Sequence, residues 1–122
     1  MKEAAITAKI RLKASKKGWY LWRNNVGATY TKDGNFIRYG LANDSKELNS
    51  RLKSSDLIGI KPLKITQEMV GKIVGIFVAR EIKSSKWKYA GASREEAQLA
   101  FINLVNSLGG DAQFITDEEA LL

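Results

Sequence analysis

The sequence predicts an α/β fold in which helices flank a mixed central sheet. Two nearly continuous apolar runs, residues 56–60 and 73–79, are typical of strands that are covered on both faces. Residues 93–108 have the pattern of a helix, and a right-handed crossover through it would make a last strand at 112–115 parallel to the strand before the helix. The Asp-Gly pair at 33–34 lies between β-prone segments and predicts a hairpin.

The N-terminal elements follow from local patterns. Residues 3 to about 14 form a predicted amphipathic helix, because apolar residues recur at helical spacing with lysines opposite: Ala4, Ala5, Ala8 and Leu12, with Ile6 and Ile10 alongside. The segment 19–22 is short and mostly aromatic, which favours a strand. A polar excursion follows the hairpin, and in it Asp44 and Glu47 predict a capping box for a short helix through Leu52.

The C-terminal half contains the clearest helix. Ser93 and Glu96 predict its capping box, and Gly109 with Gly110 ends it. One apolar stripe runs along this helix: Ala97, Ala100, Phe101, Leu104, Val105 and Leu108. After the last strand, Thr116 with Glu119 predicts a final helical turn. The predicted core order is therefore αβββαβ, followed by a short terminal helix.

Composition limits both the domain count and the chemistry. A chain of 122 residues and 13.6 kDa with 44% hydrophobic residues is long enough for one domain, residues 1–122, with a substantial core. It contains no histidine and no cysteine, which excludes Ser-His triads, thiol nucleophiles, disulfides and His- or Cys-based zinc sites. Any catalysis must therefore use carboxylates, lysine, arginine, hydroxyls or amides.

The N-terminal segment predicts a cytoplasmic protein with no role at a membrane. Charged residues interrupt the first turns, and no continuous apolar run of signal-peptide or membrane-spanning type is present there.

Charge is distributed unevenly along the chain. Residues 1–94 carry a net charge of +13, whereas residues 95–122 contain six acids and no lysine or arginine. With a sequence pI of about 9.7, the basic part favours nucleic acid as the partner, because a positive field attracts and holds phosphates. The alternative is a soluble basic domain without a polyanionic partner.

A carboxylate and an ammonium group share one face at the end of the predicted central strand. Residues two apart in a strand point the same way, so Glu81 and Lys83 project together while Ile82 is expected to pack inward. In a chain of this composition, an acid two residues before a lysine is expected about once or twice by chance, so the spacing alone is weak evidence. The context of Glu81 distinguishes it, because charge at the end of a buried strand is costly without a function.

Asp56 opens the other buried strand. If the two strands are neighbours, Asp56 faces Glu81, and two carboxylates with water are suitable ligands for Mg²⁺. A lysine beside them would then stabilise charge during phosphodiester hydrolysis. The alternative is purely structural: Asp56 caps a turn, and Glu81 with Lys83 forms a solvated ion pair.

These residues resemble a known pattern. Asp56, then Glu81-Ile82-Lys83, then Gln98 in the following helix is similar to the PD-(D/E)xK nucleases, and specifically to the virus-type replication-repair nuclease (VRR-NUC) domain. Similar landmarks occur in order over nearly the whole chain: Trp22-Arg23-Asn24-Asn25 with Gly27, Tyr39-Gly40-Leu41, Ser54-Ser55-Asp56, and Gln98 followed by Gly109-Gly110. Ser55 occupies the place of the superfamily's proline.

The resemblance implies a restriction-endonuclease-like fold and a set of site residues. The implied metal ligands are Asp56, Glu81, the backbone carbonyl of Ile82 and the extra N-terminal acid Glu3, and the implied cofactor is Mg²⁺, with Mn²⁺ able to substitute. Lys83 would be the catalytic lysine, and Gln98 would help to place it. From the residues alone, Gln98 is equally a rim residue of its helix and Glu3 a helix-dipole acid.

Several polar residues are candidate DNA contacts. Lys86 and Lys88 alternate with aromatic residues beyond the Glu81–Lys83 segment and would reach a phosphate backbone, or else form a plain solvated turn. The remaining candidates lie before the two apolar runs: Arg23, Asn24, Asn25, Lys53, Ser54 and Ser55. Asn-rich turns also form for backbone reasons alone.

The resemblance thus predicts a Mg²⁺-dependent, structure-specific DNA endonuclease, bacterial or phage-encoded, that acts in DNA repair as a homodimer similar to Holliday-junction resolvases. Its substrate would be branched or duplex DNA. The rival hypothesis is a non-catalytic basic nucleic-acid-binding module on the same fold, and a nuclease directed at RNA is a third.

Overall fold

The computed structural model describes residues 2–116, which form a mixed α/β structure with three α-helices. The chain divides into two compact units, Met1–Gly59 and Ile60–Leu122. The elements, in order, are α1 Glu3–Lys16, β1 Tyr20–Arg23, β2 Gly27–Tyr30, β3 Phe36–Tyr39, α2 Lys46–Arg51, β4 Leu57–Ile60, a 3-10 turn Gln67–Met69, β5 Val78–Ile82, α3 Ser93–Ser107 and β6 Asp111–Ile115. No helix within residues 2–116 is both long enough and apolar enough to cross a membrane.

The first helix forms where the sequence predicts it, but its apolar side is not buried. In α1 only Ala14 is buried, while Ile6, Ile10 and Leu12 are all exposed. The chain turns directly after α1, and the Trp19 N–H donates to the Ala14 carbonyl at 2.9 Å. The helix is therefore tied down through its C-terminal turn, and its amphipathic pattern does not produce a buried face.

The predicted hairpin is confirmed. β2 and β3 pair antiparallel, from Gly27 opposite Tyr39 to Tyr30 opposite Phe36. Gly34 takes a φ of +82° in the connecting turn, a conformation that costs glycine little because it has no Cβ.

A buried asparagine ties the hairpin to the loop that follows it. Asn43 is 3% exposed, and its amide nitrogen donates to the carbonyls of Gly27 (2.7 Å) and Tyr39 (2.9 Å). Its amide oxygen accepts a hydrogen bond from Arg38 Nη1 at 3.0 Å. Helix α2 then begins with Ser45 as its cap, whose hydroxyl accepts from the Leu48 N–H, so the predicted capping role of Asp44 is wrong.

A second pairing in the N-terminal half joins β1 and β4. Gly59 makes this possible, because a Cβ there would clash with the carbonyl oxygen of Tyr20. Next to the ladder, the Asn24 N–H donates to the Asp56 carbonyl at 2.8 Å. The backbone of Asp56 is thereby fixed against the segment that follows β1.

The C-terminal unit contains a β-α-β arrangement. β5 and β6 are parallel, with Val78 opposite Asp111 and Ile82 opposite Ile115, and α3 connects them. The predicted parallel pairing is confirmed. The predicted strand at 73–79 is wrong in extent, because β5 begins only at Val78 and Ile73 is fully exposed. The partner strand β6 begins only at Asp111, directly after the Gly109-Gly110 turn. It therefore has no earlier residues that could pair with residues 73–76.

Helix α3 has the predicted length, but both its cap and its buried side differ from prediction. The N-cap is Ala92, whose N–H donates to the Glu95 carboxylate at 3.2 Å, so Ser93 and Glu96 do not form the capping box. The buried residues of α3 are Ile102 and Val105, whereas Ala97, Ala100 and Phe101 are exposed. Gly109, with φ +94°, ends the helix as predicted.

In place of one mixed central sheet, residues 2–116 contain three two-stranded sheets: β1 with β4, β2 with β3 and β5 with β6. The α/β class is confirmed, and the single central sheet is wrong. Within residues 2–116, each strand of these sheets has one ladder partner. The predicted helical turn of Thr116 with Glu119 lies outside the described residues, and one domain over residues 1–122 stays a prediction.

We expect Asn43→Ala to destabilise the protein by about 1–3 kcal/mol, because two backbone carbonyls and the Arg38 guanidinium each lose a partner. Chemical denaturation at neutral pH measures the difference. Asn103→Ala, at an exposed position of α3, is the control and should stay within about 0.5 kcal/mol of the unaltered protein. Equal stability of the two variants would contradict the role assigned to Asn43.

Candidate active site

The end of β5 carries the acid and the lysine that the sequence singled out. The ladder places Glu81 opposite Phe114, and the Lys83 N–H continues it by donating to the Ile115 carbonyl at 2.9 Å. The side chains of Lys83 and Glu81 are 17% and 39% exposed, whereas Ile82 is 69% exposed. The expected inward packing of Ile82 is therefore wrong, and the two charged residues occupy the more buried side of the strand.

Gln98 connects these two charges. Its Nε2 donates to Glu81 Oε1 at 2.6 Å, and its Oε1 accepts from Lys83 Nζ at 2.8 Å. Lys83 Nζ and Glu81 Oε1 are 3.9 Å apart, so their direct contact is longer than the hydrogen bond that either group makes with the Gln98 amide. Because Gln98 precedes Ile102 by four residues and Val105 by seven, it lies on the buried side of α3. Its position gives it a structural role beyond that of a rim residue.

Two aromatic rings flank the lysine. Lys83 Nζ lies 5.5 Å from the centroid of Trp87 and 5.8 Å from that of Phe114, within the range of cation–π attraction. The two rings pack against each other at 4.8 Å, and Tyr89 lies at the edge of Trp87 at 6.3 Å. The rings and the Gln98 amide together restrict where the ammonium group can move.

Glu95 holds Trp87 in place. Trp87, Tyr89 and Phe114 together form what we call the aromatic wall. One carboxylate oxygen accepts from the Trp87 indole N–H at 2.7 Å, and the other accepts from the backbone N–H groups of Ala90 (3.1 Å) and Ala92 (3.2 Å). Desolvation acts to raise the pKa of Glu95, but these hydrogen bonds and the charge of Lys83 outweigh it, so the pKa lies below its usual value.

Sequence reasoning missed the roles of Glu95 and Phe114. Glu95 stands at the third position of α3, where acids commonly accept backbone hydrogen bonds, and this signal could have identified it. Phe114 could not be found from the sequence, because only the register of β5 with β6 brings it opposite Glu81.

The two candidate DNA-binding lysines of this segment are exposed. Trp87 is half-buried on the aromatic wall, while Lys86 and Lys88 on either side of it lie open to solvent. The structure therefore separates the aromatic residues, which pack, from the lysines, which are accessible. Their contact with DNA stays a prediction.

A hollow of about 460 Å³ adjoins Glu81 and Gln98. Its charged lining is completed by Arg80 and the exposed Arg94. Arg80 binds Asp111 at 2.9 Å, and this hydrogen bond and charge hold the pKa of the Asp111 carboxyl below its usual value. The hollow thus places Glu81 near the exposed Arg94, while the Arg80 guanidinium is occupied by Asp111 and by backbone carbonyls.

A second hollow, of about 350 Å³, lies in the N-terminal unit and gathers five of the predicted residues. Its polar lining consists of Glu3, Thr7, Arg23, Asn24, Asn25 and Asp56. The sequence predicted all of these except Thr7, and their spacing of up to 53 positions along the chain shows that this grouping depends on the fold.

Asn24 and Ser54 have a clear structural role in this second hollow. Asn24 Nδ2 donates to Ser54 Oγ at 2.7 Å and to the Ser55 carbonyl at 2.9 Å. The Ser54 hydroxyl donates in turn to the Leu41 carbonyl at 2.6 Å. These bonds hold the loop that delivers Asp56. Lys53 is exposed and donates to Asn49 Oδ1 at 2.6 Å.

The predicted metal ligands divide between the two units. Glu3 and Asp56 line the N-terminal hollow, and Glu81 with Ile82 ends β5 in the C-terminal unit. Within residues 2–116 no three acidic side chains form a cluster of the kind that binds a metal by itself. Convergence of Asp56 on Glu81 stays a prediction.

We expect Glu95→Gln to lower the stability at neutral pH, because the amide replaces a charged acceptor of three hydrogen bonds. The lowered pKa means that native Glu95 contributes stability above the usual carboxyl range, and that this contribution is lost as the pH falls through the lowered pKa. The stability difference between variant and unaltered protein should therefore shrink in acid.

Thermal unfolding at pH 7 and at pH 3 measures this difference. Glu96→Gln, at the exposed neighbouring position, is the matched control and should show little effect at either pH. A Glu95→Gln difference that is the same at both pH values would contradict the role of the carboxylate.

Comparisons of this chain with protein-family models, with curated proteins and with solved structures found no match.

Proposed function

We propose that the protein is a Mg²⁺-dependent DNA endonuclease with a PD-(D/E)xK site of the virus-type replication-repair nuclease kind. The observation that carries the proposal is the hydrogen-bonded chain from Glu81 through Gln98 to Lys83 at the end of β5. These three residue types, on a strand and the helix after it, are the ones that the sequence resemblance assigns to catalysis.

The partial burial of Glu81, Gln98 and Lys83 favours a functional site over a purely structural one. The Lys83 side chain is 17% exposed, so most of it is withdrawn from water, and a purely structural site would be cheaper with apolar residues. The Gln98 amide bridges the two groups, and the direct ion pair between Lys83 Nζ and Glu81 Oε1 is long, at 3.9 Å. A site that holds opposite charges separately is suited to bind a cation and a phosphate next to each other.

The donor set fits magnesium. Glu81 and Asp56 supply carboxylate oxygens, Ile82 supplies a backbone carbonyl and Glu3 a further carboxylate, which are the hard oxygen ligands that Mg²⁺ prefers. When bound, such a metal polarises a phosphoryl oxygen and makes water a better nucleophile near neutral pH.

The chain's own residues have separate tasks in this proposal. Lys83 donates hydrogen bonds to the phosphate and stabilises the charge that develops during hydrolysis by water. Gln98 sets the position of the Lys83 ammonium and of the Glu81 carboxylate. Arg23 and Asn25 bind neighbouring phosphates, and Asn24, Ser54 and Ser55 hold the loop that carries Asp56.

The substrate is branched or duplex DNA, and the working form is a homodimer that places two active sites on it. The resemblance and the small size of the chain motivate this part of the proposal. The basic character of the chain supports a nucleic-acid partner, since its net charge is +7.

One observation favours the rival function, a binding module without catalysis. Residues 1–59 contain 12 basic and 5 acidic residues, whereas residues 60–122 contain eight of each, so the whole net charge lies in the unit that lacks Glu81 and Lys83. A module that only binds phosphates would need this positive charge and would not need the Glu81–Lys83 site.

Cleavage of labelled DNA tests the proposal. We expect metal-dependent cutting in Mg²⁺ and Mn²⁺ and none in EDTA, with substrates that comprise a four-way junction, a flap, linear duplex, single-stranded DNA and RNA. Asp56→Asn and Glu81→Gln should abolish cutting, and Lys83→Met should slow it by about 10²–10³-fold. Gln98→Ala should slow it by about 10–100-fold, as expected for a residue that orients others.

Glu68→Gln, at an exposed acid in the 3-10 turn, is the control and should cut normally. Binding without cutting in either metal would overturn the nuclease and favour the binding module. Light scattering with and without DNA tests the homodimer, and a monomer mass in both cases would overturn that part.

The salt dependence of DNA binding tests the two exposed lysines. Each phosphate contact contributes about one unit to the slope of log K against log salt, so Lys86→Ala with Lys88→Ala should reduce the slope by about two. The double variant Lys64→Ala with Lys72→Ala has the same net charge and also changes exposed positions. An equal slope for both double variants would remove Lys86 and Lys88 from the interface.

A further inference from the structure

The tip of the β2–β3 hairpin exposes two aromatic side chains next to each other. Tyr30 is 70% exposed and Phe36 is 53% exposed, although both are large and Phe36 is wholly apolar. The register makes them a cross-strand pair, and their ring centroids are 5.3 Å apart with planes inclined at 60°. The pair stabilises the hairpin through ring contact, yet it leaves most of both rings open to solvent.

A fixed cation lies on the same side of the hairpin. Arg38 is two residues from Phe36 and shares its face, with the guanidinium carbon 5.7 Å from the ring centroid. Arg38 Nη1 also donates to the buried Asn43, whose own amide is held by two backbone carbonyls. The guanidinium is therefore held in place beside the ring, and little side-chain freedom remains to be lost on binding.

A hollow of about 550 Å³ opens beside this ring and cation. Its lining includes Phe36, Arg38, Asn43 and the acid Asp44. A volume of this size is typical of sites for small planar ligands. Aromatic faces, a guanidinium and polar edges are the groups that bind a nucleobase by stacking and hydrogen bonding.

We infer that this hairpin surface, Tyr30, Phe36 and Arg38 with the adjoining hollow, binds an unpaired nucleobase of a DNA strand. The positive charge of residues 1–59 favours a nucleic-acid ligand over an apolar protein partner. A paired base in a duplex has both faces covered by its neighbours, so only an unpaired base can stack on an exposed ring.

The inference deepens the proposed function, on which it rests for the identity of the partner, by naming the feature of the substrate that the hairpin selects. Branch points, flaps and single-stranded tails all expose unpaired bases. Stacking of such a base would favour these substrates over continuous duplex, in addition to the attraction between lysines and phosphates, which every DNA shares.

The test compares two strands that differ only in their bases. Fluorescence anisotropy in EDTA measures the affinity of the protein for dye-labelled oligothymidylate and for an abasic oligodeoxynucleotide of the same length. Both probes carry the same phosphates. We expect the unaltered protein to bind oligothymidylate about tenfold more tightly, as for one base stacked on an aromatic ring.

Variants then assign this preference to the hairpin. Phe36→Leu retains an apolar side chain but has no aromatic face, and it should reduce the preference to about onefold, while Phe36→Tyr should retain it. Ile37→Val, on the opposite face of β3, is the matched control and should leave the preference unchanged. Circular dichroism and thermal unfolding establish that each variant is folded.

Three results would overturn the inference. The first is equal affinity of the unaltered protein for the two strands, which decides the matter even if Phe36→Leu fails to fold. The second is loss of the preference in Phe36→Tyr, or its retention in Phe36→Leu. The third is a change in sedimentation of Phe36→Leu without a change in base preference, which would make this face a contact between copies of the chain.

The outcome is separable from that of the nuclease proposal, because the binding assay contains no metal. Cleavage in Mg²⁺ with no base preference would leave the nuclease standing and remove the hairpin site. A base preference without cleavage in any metal would retain the hairpin site and remove the nuclease.

Discussion

The amide of Gln98 lies between an acid and a lysine, and the chemistry available at the end of β5 depends on it. An amide can donate to a carboxylate and accept from an ammonium at the same time, as Gln98 does towards Glu81 and Lys83. Without it, the Lys83–Glu81 ion pair, now 3.9 Å long, would be free to close to direct hydrogen-bond contact. With it, both are held in position while keeping capacity to bind other groups.

The surroundings of this amide follow from two backbone constraints. The parallel register of β5 with β6 brings Phe114 opposite Glu81, and the first turn of α3 brings Glu95 to the segment after β5. Glu95 then orients Trp87, which packs on Phe114 and confines Lys83. A lysine that is restricted by two rings and an amide loses little freedom when it binds a ligand, which is the condition for an effective electrostatic contact.

Asparagine side chains have the corresponding role in the N-terminal unit. Asn24 and Asn43 each donate to backbone carbonyls: Asn24 to Ser55 in the loop before β4, and Asn43 to Gly27 and Tyr39 at one end of the hairpin ladder. Asn24 thereby holds the approach to Asp56, and Asn43 holds Arg38 beside Phe36. The same unit carries the whole net charge of the chain, so attraction of a polyanion and the placement of Glu81 and Lys83 are tasks of different parts of the sequence.

The sequence by itself determined several elements: α1, the hairpin and α3 with its glycine stop, because turn chemistry and helical spacing act between residues close in the chain, and the parallel pairing of β5 with β6, because a crossover helix joins them. It also identified Glu81, Lys83 and Gln98 as a set. Only the tertiary structure decided which sides are buried. Ile82 faces solvent and the apolar side of α1 is exposed, because burial depends on what packs against a face and not on the pattern of the face alone. The roles of Phe114 and Asn43 likewise depend on contacts across the ladder and the loop, which no spacing along the chain encodes.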